Sequence, residues 1–172
     1  MALLPAFGDF FLRAARDAPR GPEVPGQTFV FVNGNDFPVF YAWAIRTAEA
    51  RPCPRRVALL SSMTTAGTVV REDAATLLVR PQGGFLLRSM DRLLASPTRT
   101  FAAGERVERP DYVAEVRSLT ADGRPREVAY RFRRALEDPA YRFVAVDDRA
   151  RLVPFALPRV GASRALGAVT FY

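Results

Sequence analysis

The chain has 172 residues, 49% of them hydrophobic, with 25 basic against 18 acidic side chains and a formal net charge of +7. Every basic residue is arginine, histidine and lysine are absent, and Cys53 is the only cysteine. An intrachain disulfide, the usual zinc sites, Ser-His-Asp and Cys-His catalysis and histidine pH switching are therefore excluded, and no cofactor is expected.

The length and apolar content suffice to bury a core, as one domain or as two small joined ones. Total absence of lysine reads as codon usage rather than selection at a site. Residues 1–100 carry twelve arginines against eight acids and residues 101–172 carry thirteen against ten, so the positive charge forms no tail or block. That spread argues against nucleic acid as a partner. No apolar run reaches the roughly 18–20 residues of a membrane span.

In chain order, residues 1–19 predict an amphipathic helix: Leu3, Leu4, Phe7, Phe10, Phe11, Ala14 and Ala18 recur at helical spacing opposite Asp9, Arg13, Arg16 and Asp17. Such a helix normally docks on its own domain; alternatively, aromatic and leucine residues facing arginines suit a partner or membrane surface, with Leu4, Phe7 and Phe11 as the contacts. A Pro/Gly loop at 21–27 leads into a buried strand at 28–32, then the turn formers Asn33-Gly34-Asn35-Asp36. A largely covered helix is expected over 37–50, capped by Asn35 or Asp36, and a second strand over 55–61. Together these form a β-α-β unit with parallel strands. Strands at 68–71 and 76–80 make a hairpin, a helix is expected over 85–95, and 96–98 is the best boundary.

Beyond it the pattern alternates. Residues 112–119 and 128–133 predict an antiparallel hairpin around Asp122-Gly123, with Val116 opposite Tyr130, Ala114 opposite Phe132 and Glu115 opposite Arg131. Further strands are expected at 141–146 and 151–155. The expected fold is α+β: an N-terminal amphipathic helix and linker (1–25), a mixed α/β part (26–97) holding the β-α-β unit and hairpin, and a mainly antiparallel curled or barrel-like sheet (98–172). The last two parts can equally form one compact domain.

The segments GQTFVFVNGND, RPCPRRVALLSS, VVREDAATLLVRPQGGFL, FAAGERVERPDYVAEV, TADGRPREVAYRFRRALEDPAYRF and LVPFALPRVG resemble the soluble C-terminal region of uncharacterised polytopic bacterial membrane proteins of the planctomycete and myxobacterial type. The resemblance spans residues 26–166, and its most specific pieces are the turns at 80–85, 122–125 and 136–139. It implies a fold and a membrane context, with 1–19 leaving the membrane, and brings no catalytic residues. One departure is that Asn33-Gly34-Asn35-Asp36 intervenes before Pro38, where the family places a proline soon after the strand's asparagine.

Asn33, Gly34, Asn35 and Asp36 lie between a strand and a helix, where α/β units offer backbone amides to ligands; the competing explanation is positive-φ turn geometry and a helix cap. Arg117, Arg131, Arg133 and Arg142 could form a polar stripe, but the alternation turns the neighbouring aromatics inward and leaves a solvated face. Glu72-Asp73, Glu137-Asp138 and Asp147-Asp148 could hold a hard cation, yet turn preference accounts for all three, and no metal site is expected. Ser61, Ser62, Thr64 and Thr65 lack a base to activate them. Trp43 is a core aromatic or, as an anchor, a partner contact. The expectation is a non-enzymatic accessory or interaction domain at a bacterial membrane, on its cytoplasmic face, whose partner is another protein or its own membrane region. The alternatives are a small-ligand or enzymatic unit using the loop after the first strand, and an arginine-mediated binder of nucleic acid or anionic lipid.

Overall fold

The computed structural model describes residues 16–34, 43–62, 65–87, 91, 99–147 and 151–168. Ten strands build two sheets. The first is the order β2-β1-β8-β9, from Arg56–Leu59, Thr28–Phe31, Tyr141–Val146 and Leu152–Pro154. The second is β10-β3-β4-β7-β6-β5, from Ser163–Leu166, Gly67–Arg71, Thr76–Pro81, Pro125–Phe132, Tyr112–Leu119 and Arg106–Glu108. Strands from both sides of residue 97 share each sheet. The antiparallel part does not close into a barrel: β10 and β5 remain as separate edges of an open six-stranded sheet.

β1 sets the layering. It pairs in parallel with β2 on one side and β8 on the other, and all four of its residues are buried. Strands covered on both faces read as continuous apolar runs, which is why Phe29-Val30-Phe31-Val32 shows no alternation. Phe29 and Phe31 point to one face with Val144, Val146, Leu152, Val24 and Ala18. Val30 and Val32 point to the other, where they join Leu77, Val79, Val128, Phe132, Tyr141 and Phe143 in a core between the sheets. The resulting order is a helical layer, a mixed sheet and an antiparallel sheet.

The helical layer holds the turn Val24–Gly26 and helical residues 43–48. Trp43 stacks edge-on against Phe29 and Phe31, with centroids 5.6 and 6.3 Å apart. The expected complete covering of this helix does not hold for its described part: Ala44, Thr47 and Ala48 are exposed, and only Arg46 is buried. The Arg46 guanidinium, fully out of solvent, donates to the carbonyls of Ala18 (3.2 Å), Pro19 (3.0 Å) and Pro52 (3.1 Å). Burial lowers its pKa, and the carbonyl cage plus the Trp43 face 5.8 Å away offset part of that desolvation.

Turn chemistry fixes the hairpins. Between β3 and β4 the Asp73 carboxylate accepts from the Ala75 amide (2.7 Å) and the Thr76 hydroxyl (2.9 Å), and the Ala75 bond in first place holds its pKa below the usual range. Between β6 and β7, Gly123 takes φ +79° as the third loop residue, so the hairpin centres on Asp122. The register is therefore Ala114 opposite Tyr130, Val116 opposite Val128 and Glu115 opposite Ala129, shifted by two residues from the sequence-based register, with an irregularity after Val116. A two-residue shift preserves which face is buried, so the aromatics still point inward. It does separate Glu115 from Arg131; Glu115 instead bonds Arg106 on β5 at 2.8 Å and also Arg117.

Two further expectations change. Residues 85–87 are not helical: Leu86 has φ +56° and Gly84 φ +81°, and a Cβ at Gly84 would lie 2.7 Å from Thr120 Cγ2 and 2.9 Å from the Pro125 carbonyl. Apart from Asp91, the rest of the expected 85–95 helix lies outside the described residues, as do residues 1–15. Among the described residues no helix is long and apolar enough to cross a membrane.

Tyr112, Tyr130 and Tyr141 all have phenols raised above the ordinary value near 10, burial being the first cause in each. Tyr130, which donates to the Leu60 carbonyl across the inter-sheet core, is the most enclosed. A raised folded value means that the unfolded chain loses its proton first, so stability is intact below pH 10 and falls as pH rises above it. Expected on alkaline titration is a phenolate absorbance step that coincides with loss of circular dichroism; in Tyr130→Phe the coincident step shrinks.

Candidate functional site

Parallel strands direct their carboxyl ends to one side, and ligands in open α/β sheets bind outside those ends. Here Asn33, Ser61 and Asp147 follow within two residues of the carboxyl ends of β1, β2 and β8. Asn33 is buried, and its side chain continues the sheet: Nδ2 donates to the Val146 carbonyl (3.1 Å) and the Val146 amide donates to Oδ1 (2.9 Å). The amide group mimics one more residue of β1 and keeps the β1–β8 ladder closed beyond Val32. Gly34 is buried beside it, whereas Asn35 and Asp36 lie outside the described residues.

A cleft of about 280 Å³ opens next to Asn33, in the seam where edge strands β9 and β10 of the two sheets meet. Ala145, Phe155 and Leu166 give it a buried apolar floor, and Val153 and Pro154 a wall. Two charges border it. Asp147 accepts from the Arg151 amide (2.8 Å) and from its guanidinium (3.0 and 2.9 Å), so that carboxylate is compensated. Arg164 is held differently: its Cζ lies 5.2 Å over the Phe155 ring and Nη1 donates to the Ala156 carbonyl at 2.8 Å. Arg164 and Phe155 were not singled out by sequence reasoning. Ser163-Arg164-Ala165-Leu166 contains no β-branched or aromatic residue, so it gives no strand signal, and only the pairing with β3 makes it β10.

Beyond β2, Ser61 and Ser62 line a void of about 10 Å³, room for about one water, and Ser62 donates to Asp91 at 3.4 Å. At the opposite, amino end of the parallel strands lies a second charged cluster. The Asp111 carboxylate, 10% exposed, accepts from Arg55 (3.1 Å), Arg56 (3.2 Å) and the fully buried Thr28 hydroxyl (3.1 Å). Tyr141 donates to the Asp111 carbonyl at 3.2 Å. This cluster bolts the start of β6 to β1, β2 and β8.

The arginines weighed as a polar stripe are divided. Arg117 meets Glu115 and Glu72, Arg133 meets Glu108 and the Pro110 carbonyl, and Arg142 lies on the other sheet near Glu23. The acid pairs serve turns: besides Asp73, Asp138 accepts from the Ala140 amide at 2.8 Å. Among the described residues no group of three potential metal ligands assembles. Trp43 packs on the sheet, as described, with its indole N–H buried and without a hydrogen-bond partner. Leu4, Phe7 and Phe11 lie outside the described residues. No family model, curated protein or solved structure matches this chain.

Removing the Asn33 amide strands the Val146 N–H and C=O at the end of two buried strands. Asn33→Ala is expected to lose about 2 kcal/mol, within the range for buried groups left unpaired. Equilibrium urea unfolding followed by Trp43 fluorescence measures it; an unchanged midpoint would contradict the ladder-closing role.

Proposed function

We propose that this chain is a non-enzymatic accessory domain of a bacterial membrane protein, which engages its own membrane region or a protein partner through the amphipathic stretch 1–19. The observation that carries the reading is the Arg46 clamp. A buried guanidinium fastened to the Ala18 and Pro19 carbonyls, with Ala18 itself packed among Val24, Phe29 and Phe31, fixes where that stretch joins the body. Fixing residues 18 and 19 on the body gives the preceding stretch, with Leu4, Phe7 and Phe11, a defined point of attachment.

Two other observations support it. Asn33, Asp147 and Asp111 are held by hydrogen bonds that maintain the fold. The surface arginines Arg106, Arg117 and Arg133 are partnered by acids, which weakens a phosphate-binding reading. The sequence resemblance to C-terminal regions that follow a membrane helix supplies the context, with the cytoplasmic face as the proposed side.

Co-sedimentation of the whole chain with phosphatidylethanolamine/phosphatidylglycerol vesicles tests the proposal, alongside analytical ultracentrifugation for self-association. Binding or association that is lost in a Leu4→Asp, Phe7→Asp, Phe11→Asp triple variant with an unchanged melting temperature is the expected outcome. A chain that stays monomeric and vesicle-free, or a triple variant that behaves as the parent does, overturns it.

A further inference from the structure

The seam cleft combines three properties that the fold alone does not require. Its floor of Ala145, Phe155 and Leu166 is apolar and buried. Its rim carries a guanidinium stacked on an aromatic ring. Among the described residues that guanidinium makes no ion pair, in contrast to Arg151, which meets Asp147 in the same cleft. Arg164 has five N–H donors, and the bond from Nη1 to the Ala156 carbonyl uses one of them. The remaining donors lie in the planar fork that matches a carboxylate in two-point fashion. Stacking on Phe155 also removes freedom that a surface arginine would otherwise lose on binding.

We propose that this cleft binds a small monocarboxylate with an aromatic or branched apolar body, its carboxylate on Arg164 and its body on Ala145, Phe155 and Leu166. The volume, about 280 Å³, falls just below the usual ligand-site range, which starts at about 300 Å³, and suits a small molecule of about ten non-hydrogen atoms. The single charge of Arg164 matches a monocarboxylate better than a dianion: a phosphate monoester would bring a second negative charge beside Asp147, whose own partner Arg151 is already engaged. Asn33 contributes by position. Its bonds to Val146 hold Ala145 and Val146 at the cleft's inner end, so it is a positioning residue rather than a contact.

The test uses the full chain with phenylacetate and 4-methylvalerate as probes, followed by amide chemical-shift titration. Both are expected to move the resonances of Ala145, Phe155 and Leu166 and to saturate. Arg164→Gln, at an exposed position, is expected to keep the parent's melting temperature and bind about tenfold more weakly or worse, as is 2-phenylethanol to the parent. Ala145→Leu, which fills the floor, is expected to abolish saturation; retention of binding by that variant counts against the site. The proposal is overturned if neither carboxylate shifts those amides by about 10 mM, if Arg164→Gln binds equally well, or if phenyl phosphate outcompetes phenylacetate.

Discussion

β1 is the constraint on which the rest depends. A strand hydrogen-bonded in parallel on both sides and buried on both faces needs two coverings, neither of which its own sheet can supply. The helical layer supplies the first through Trp43, Val24 and Ala18, and the antiparallel sheet supplies the second through Leu77, Val79, Val128 and Phe132. Because β8 is contributed by residues more than a hundred positions after β1, the inter-sheet core forms only when both ends of the chain have come together. Topology of this kind, rich in long-range pairing, carries a high entropic cost of loop closure before its contacts form.

Arginine performs three separate physical roles here. Arg46 is buried and donates to three backbone carbonyls, an arrangement that fits a planar group with several fixed donors better than a lysine ammonium. Arg55 and Arg56 share one carboxylate, so Asp111 acts as a hub where β1, β2 and β6 meet. Arg106 on β5, Arg117 on β6 and Arg133 at the end of β7 pair with glutamates, and the charge of Arg106 and Glu108 on short edge strand β5 also discourages edge-to-edge pairing with another chain. These acid-paired arginines already cancel within the net charge of +7, so the excess resides in other arginines, of which Arg46 is buried.

The two ends of the parallel strands have opposite characters. At the amino end, Asp111 and its partners close the gap between sheets with hydrogen bonds. At the carboxyl end, the sheets part where β9 and β10 end, and the seam stays open beside Asn33. An open edge on one sheet facing an open edge on another is the geometric cause of the cleft. Turns and alternation were readable in the chain because they depend on neighbours in sequence: the Asp73 and Asp122-Gly123 turns, the strand at 28–32 and the inward aromatics of 128–132 all agree with the structure. The hairpin register was missed by two residues because Gly123 occupies the third loop position rather than the apex, a distinction invisible to residue type.

By itself the sequence determined the strands β1–β4 and β6–β9, the inward face of the late hairpin and the absence of histidine, lysine and disulfide chemistry. These follow from local propensity and composition. It also placed attention on Asn33, as a ligand candidate or a turn residue, but only tertiary pairing shows that its amide closes the β1–β8 ladder. The union of β8 with β1, the recruitment of 163–166 as an edge strand and the meeting of Arg164 with Phe155 were decided by the tertiary structure alone. Strand partnership between distant segments is set by which apolar faces can be covered together, and no window of neighbouring residues contains that information.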